Sequence, residues 1–246
     1  MDARPKLNSL MYHDIRALGA PSRYCFTIAE FRRHLRAIQE RVGGAPAVVG
    51  AEGDAAGFAL TFDDGYPGWL AAAEELLRLR WRAHFFVITD VLGKSGCLAR
   101  SDIPRLASMG HVIGSHSVDH PAHFASLGDD ALLRQWRDSK AALEDILGRA
   151  VNAASVPGGG YSERVARAAE ASGFSHLFTS EPIATGWRVG RCRVQGRFTL
   201  VKSMSSRKVA RLAAGAPSEK AREYLVWHLK KAVKAALLPR PRQSRH

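Results

Sequence analysis

Phe58-Ala-Leu-Thr-Phe-Asp-Asp-Gly65 decides how this chain is read: an apolar run that ends abruptly in two adjacent carboxylates and a glycine. A strand that is apolar almost throughout, rather than alternating, belongs in a sheet covered on both faces. The flanking segments supply the cover. Downstream, Gly68–Arg80 carries a helical stripe (Leu70, Ala73, Leu76, Leu77), and His84–Thr89 is a second buried-strand run. Upstream, Asn8–Ile15 reads as a short strand, and Thr27-Ile-Ala-Glu30 is a capping box that opens a helix to about Arg41. Further on, Ser101 is the expected cap of a helix ended by Gly110, His111–Ser115 is a strand, and Asp129–Gly148 is a long helix. Val151–Val156, Ser162–Ser172 and Ser175–Thr179 continue the rhythm as strand, helix and strand. This alternation predicts βαβ units around a largely parallel sheet, in which chemistry sits at the carboxyl ends of strands.

Composition agrees with a soluble α/β protein. The 246 residues are 46% hydrophobic and 24% charged, which excludes collagenous, coiled-coil and fully disordered classes. The three cysteines, Cys25, Cys97 and Cys192, are scattered and odd in number. They exclude a disulfide framework and a cysteine zinc site, and they suit a reducing compartment. Residues 1–15 contain no apolar core of a signal peptide, and no run of 18 apolar residues occurs. The expectation is a cytoplasmic protein, with peripheral contact at the inner face of the membrane as an extension of it.

That extension comes from the charge. The formal net charge is +13, and residues 201–246 hold 12 Lys/Arg against only Glu219 and Glu223. The tail therefore carries +10, and the first 200 residues are nearly balanced. A helix expected over Ser218–Leu238 places Leu225, Val226, Leu229, Val233 and Ala236 in one arc, with Lys230, Lys231 and Lys234 outside it. Two readings stay open: 218–246 lies on an anionic membrane, or it docks on the domain as an ordinary surface helix. Nucleic acid is an unsuitable partner, because beyond Tyr224 and Trp227 the tail offers no stacking aromatics. The expected organisation is a catalytic domain over 1–205 followed by a basic helix and tail over 206–246.

Two predicted strand ends carry polar residues of an unusual kind. One is Asp63-Asp64, and the other is Ser115-His116-Ser117-Val118-Asp119-His120-Pro121. Adjacent carboxylates after an apolar run are costly to bury unless a cation or a shared proton compensates them. Alone, Asp-Asp-Gly reads as a turn and His-x-x-x-His as surface or core histidines. At two strand ends of one sheet they read together as an open metal site: one Asp and two His leave coordination positions free, as catalytic Zn²⁺ requires, and a second Asp is left to take a proton.

TFDDG at Thr61–Gly65 followed by HSVDH at His116–His120 resembles the first two motifs of the polysaccharide deacetylases, the NodB-homology or carbohydrate esterase 4 family. SLMYHDI near the N-terminus resembles the first strand of the exopolysaccharide and poly-N-acetylglucosamine deacetylase branch. HFFVIT and ASVPGGGYS fall where that family has a strand and its third motif. The resemblance implies a deformed (β/α) barrel and metal-dependent hydrolysis of N-acetyl groups on a carbohydrate, either an N-acetylhexosamine polysaccharide or its lipid-linked precursor. Asp63 would be the general base. Asp64, His116 and His120 would bind one divalent metal, Zn²⁺ by the nature of the donors. Ser117 would sit beside the ligands.

The third motif departs from the family pattern. Where an arginine normally orients the base, this chain has Ser155. Pro157 and Gly158 stand in the segment that lines the site, where Gly158 keeps the backbone N–H that serves as oxyanion donor, and Tyr161 is expected either to line the acetyl pocket or to pack. The fifth motif, a strand ending in a general-acid histidine, has no counterpart in Val189–Leu200, and His13 at the end of the first strand is the candidate replacement. These gaps leave two alternatives: an amidohydrolase of the same fold acting on a small non-sugar amide, and a catalytically weak glycan-binding pseudoenzyme.

Overall fold

The computed structural model describes residues 6–18, 22–49 and 56–237. In chain order these form β1 (Leu7–Tyr12), β2 (Asp14–Arg16), β3 (Cys25–Thr27), α1 (Ile28–Val42), β4 (Gly57–Asp64), α2 (Trp69–Arg78), β5 (His84–Val87) and α3 (Asp102–Ser108). Then come β6 (Val112–Ser115), α4 (Asp129–Leu147), β7 (Ala153–Ser155), α5 (Glu163–Ala171), β8 (His176–Phe178), β9 (Trp187–Val189), β10 (Cys192–Gln195), β11 (Arg197–Thr199), α6 (Ser206–Ala213) and α7 (Pro217–Leu237). The capping box forms as the sequence implies: Thr27 Oγ1 accepts from the Glu30 N–H, and the Glu30 carboxylate accepts from the Thr27 N–H. Ser101 makes no cap bond; the Asp102 carboxylate instead accepts from the Ala99 N–H at 2.8 Å.

One sheet runs in the order β11-β1-β4-β5-β6-β7-β8-β10-β9, with every pairing parallel except β9 with β10. It closes into the deformed (β/α) barrel through one bent segment. Cys192–Gln195 pairs with β8, and after Gly196 the same chain pairs with β1 as β11. The bend needs glycine, because a Cβ on Gly196 would lie 2.3 Å from the Glu181 carbonyl oxygen. The Gln195 side chain ties the seam by donating to the Leu7 carbonyl at 3.1 Å.

The main core lies between the sheet and its helices, around Trp69, Phe62, Phe85 and Trp136. A smaller cluster of Phe86, Ala153 and Phe178 packs separately from it. The expected strand Asn8–Ile15 is broken at His13, where the chain leaves the main sheet and β2 pairs with β3. The break is held by the Trp69 Nε1–H, which donates to the His13 carbonyl at 2.7 Å. Residues 206–213, expected to begin the appended tail, form α6, whose Val209, Ala210, Leu212 and Ala213 are buried in the same core as the barrel. No helix among the described residues is long and apolar enough to cross a membrane.

Three histidines are buried away from the carboxylates. Burial pushes His34 and His111 down to about 4 and His84 to about 3, from an ordinary value of 6.5. They are neutral in the fold and protonate first in the unfolded chain. Their contribution is complete above pH 6.5 and is lost as pH falls towards 4. On the order of 3 kcal/mol is at stake for His34 and for His111. Thermal melts should therefore show the melting temperature dropping steadily between pH 6.5 and 4; a flat profile there would contradict neutral burial of these rings.

Candidate active site

Asp63 and Asp64 end β4, in register with Phe86 and Val87 of β5. His116–His120 follow β6, Ser155 ends β7, and Arg197 begins β11. Parallel pairing puts the first three groups at one end of the barrel, and the seam brings Arg197 to it. Three of the four non-glycine residues with positive φ among those described lie here: Asp64 (93°), Ser117 (67°) and His120 (54°). Such backbone persists only where the surroundings hold it. Here the Ser117 hydroxyl accepts from the His120 N–H at 3.0 Å, and the Ser115 hydroxyl accepts from the Ser117 N–H at 3.1 Å.

Arg197 is fully buried and uses all five of its donors. Nη1 donates to Asp63 Oδ1 at 2.7 Å and to the Thr61 hydroxyl at 3.1 Å. Nη2 donates to Asp63 Oδ2 at 2.7 Å and to the Ser155 hydroxyl at 2.6 Å, and Nε donates to the Thr179 carbonyl at 3.0 Å. The Ser155 hydroxyl in turn donates to Asp63 Oδ2 at 3.0 Å. Burial alone would raise the Asp63 carboxyl; the Arg197 guanidinium, by its charge and its hydrogen bonds, reverses this and holds it well below the usual carboxylate range. The arginine missing from the third motif is thus present on another strand, and Ser155 bonds to both members of the pair. The expectation that no arginine orients Asp63 is corrected. A signal existed in the sequence: Arg197 sits between Gly196 and Phe198 in a strand-like stretch, and an arginine facing a barrel interior requires a carboxylate.

Asp64, His116 and His120 place one donor atom each within 4.8 Å of one another. The His116 Nδ1–H donates to the Ser155 carbonyl at 2.9 Å, which leaves Nε2 with its lone pair. That lone pair stands 3.5 Å from Asp64 Oδ1 and 3.7 Å from Asp63 Oδ2. Burial pushes His116 down to about 4, so the ring is neutral at physiological pH despite the adjacent carboxylates. Asp64 is raised by burial and by the Asp63 charge. A neutral imidazole facing carboxylate oxygens without a proton between them is repulsive unless a cation joins them, so these residues fit a divalent metal. With His120 replaced by alanine, two donors remain, and divalent-ion affinity should fall at least about 100-fold. Competition with a chromophoric chelator measures it, and unchanged affinity would remove His120 from the donor set.

A cleft of about 510 Å³ opens over these groups, lined also by His13, Gly158 and Trp227. His13 Nδ1 is buried with no hydrogen-bond partner, and burial pushes the ring's pKa down. Gly158 (φ 57°) lies close to His120, whose Cε1 would be 3.8 Å from an added Cβ. Pro157 is buried under the same turn. Tyr161 does not line the cleft: its hydroxyl accepts from Trp187 Nε1 at 2.9 Å and its ring packs edge-on against that indole.

The family model described as polysaccharide deacetylase matches residues 51–177. The Bacillus subtilis (strain 168) protein named "Putative polysaccharide deacetylase YxkH" is 28% identical over 158 residues, which are 64% of this chain and 54% of that protein. The chain spans about half the length of this curated relative. Among solved structures, BC0361, a polysaccharide deacetylase from Bacillus cereus, superposes with a TM-score of 0.75 at 20% identity, covering 85% of this chain and 69% of that one. IcaB from Ammonifex degensii gives 0.71 at 24% identity, covering 85% and 97%. These superpositions show a shared fold. The matched stretch 51–177 contains the carboxylates, both histidines and Ser155, whereas His13 and Arg197 lie outside it.

Proposed function

We propose, because this chain belongs to the polysaccharide deacetylase family, that it hydrolyses N-acetyl groups on a carbohydrate, either an N-acetylhexosamine polysaccharide or its lipid-linked precursor, releasing acetate. The observation that carries the reading is the buried Arg197–Asp63 ion pair beside the three-donor cluster in one cleft. A binding protein has no need to hold a carboxylate ionised and fixed next to a metal site, and the arginine whose absence favoured a pseudoenzyme is supplied by β11.

Asp64, His116 and His120 would hold one divalent ion, Zn²⁺ being the best match to one oxygen and two imidazole nitrogens. When bound, such an ion polarises the acetyl carbonyl and acidifies water. The remaining work falls to the chain. Asp63, kept charged by Arg197, takes the proton of the attacking water. Arg197 and Ser155 fix the direction of that carboxylate, which keeps it ready without solvent reorganisation. The Gly158 backbone N–H is the expected donor to the developing oxyanion. His13 passes to the leaving amine the proton that Asp63 takes from the water, the role left open by the missing fifth motif.

The reading is tested by acetate release from a panel of N-acetylglucosamine oligomers with divalent-loaded protein. Release that requires the metal supports it; a metal-loaded protein that releases none points to a small non-sugar amide. The His13 assignment has its own check. His13→Ala should lower kcat on the oligomers by roughly 10²–10⁴-fold while sparing an activated acetyl ester whose leaving group needs no proton. Equal losses on both substrates would deny it the donor role.

A further inference from the structure

The outer face of α7 is apolar and exposed. Seven large hydrophobic residues are exposed among those described, and four of them, Tyr224, Leu225, Leu229 and Val233, are on this one helix. Leu225 is 70% and Leu229 64% exposed. Helical geometry sets Ala221, Leu225, Leu229, Ala232 and Val233 within an arc of about 120°. The helix docks by other residues. Its two acids point to α6, where Glu223 pairs with Lys208 at 2.6 Å and Glu219 with Arg211 at 2.9 Å. Val226, Trp227 and Lys230 face the cleft. Both negative charges of α7 are therefore neutralised on its inner side, while Arg222 falls within the outer arc near Val233, Lys231 lies beyond Tyr224 on the other side, and both are exposed. Of the apolar arc legible in the sequence, Leu225, Leu229 and Val233 are thus turned outward, Val226 faces the cleft, and the Ala236 side chain lies outside those described.

We propose that this face seats the protein on an anionic lipid bilayer, with α7 lying in the interface along its length. An exposed apolar stripe that carries a cation in its arc, has a second nearby and is free of unpaired acids offers contacts to anionic headgroups as well as to acyl chains. The sequence after Leu237 adds Arg240, Arg242 and Arg245 and no acid, so the charge complementarity extends past the helix. The inner side of the same helix walls the cleft through Trp227 and Val226. Seating α7 on a bilayer places the catalytic cleft about one helix diameter, ~10 Å, from the lipid headgroups. Access to a lipid-carried N-acetylated glycan follows from that placement and rests on the deacetylase reading; the attachment itself does not.

The experiment is co-sedimentation of the full chain with vesicles of phosphatidylcholine alone and of phosphatidylcholine with phosphatidylglycerol, in low and high salt. Expected is binding at least about tenfold stronger to the anionic vesicles, weakened by salt. Leu225→Gln/Leu229→Gln should lose that binding while keeping its melting temperature and its acetate release from a soluble oligomer, since neither side chain touches the core or the cleft. Absence of binding, equal binding to both vesicles, or undiminished binding by the double variant would overturn the proposal. So would a concentration-dependent dimer in gel filtration that the double variant abolishes, which would assign the face to a second copy of the chain. Vesicle binding without any acetate release leaves the docking face standing and removes the deacetylase reading, so the two failures are distinguishable.

Discussion

Asp63→Asn is expected to lower kcat for acetate release by roughly 10²–10⁴-fold, with little change in divalent-ion affinity. The amide cannot take the proton, and Asp63 is not among the three clustered donors. The same change also acts on the fold. Arg197 is fully buried, and removing its counter-charge leaves a guanidinium without compensation, at a cost of about 3–5 kcal/mol. One half of the neutral side chain would also present an N–H to the Nη donors. The variant should therefore melt measurably lower, and activity must be compared at a temperature where both proteins are folded. Substantial residual activity under those conditions would mean that another group takes the proton.

The second large effect belongs to Arg197. Arg197→Met strands the Asp63 carboxylate and removes donors from Thr61, Ser155 and the Thr179 carbonyl. Stability should fall by about 3–5 kcal/mol, and kcat by roughly 100-fold as the carboxylate loses its fixed direction. A cycle with Asp63→Asn separates the pair from its surroundings. If the two charges compensate each other as the geometry indicates, the double variant should lose less stability than the two single losses added, by about 2 kcal/mol. Additive losses would show that Arg197 serves the barrel seam and not the base. Arg197→Lys should recover part of the stability but less of the rate, because a point charge cannot reproduce the two-pronged contact to both carboxylate oxygens.

Much of this site is legible in the sequence. Asp63, Asp64, His116 and His120 stand in two short motifs at the ends of apolar runs, and strand ends of a parallel sheet share one face of the fold. Local pattern determines such features: the period of apolar residues sets the element, and the abrupt change to polar residues marks its end. The alternation of strands and helices, the capping box at Thr27 and the concentration of charge after residue 200 are of the same kind.

Arg197 and His13 are different. Each lies more than 45 residues from Asp63 in the chain; Arg197 sits in no motif, and His13 is a candidate only because it ends the first strand. Arg197 reaches the base only because Gly196 bends one segment so that its first half pairs with β8 and its second with β1, closing the barrel. His13 enters the cleft only because the first strand breaks where Trp69 captures its carbonyl. The direction of α7 was equally invisible: periodicity shows that a helix has an apolar stripe, and only packing decides which side is turned inward. There the ion pairs to Lys208 and Arg211 hold the acidic side of the helix against the barrel, and the stripe is left facing solvent. Sequence alone determined the elements, the fold class and the paired motifs, because those depend on neighbours along the chain. Tertiary structure decided which arginine holds the base, that His13, a candidate from the sequence, reaches the same cleft, and which face α7 presents, because those depend on neighbours that only folding brings together.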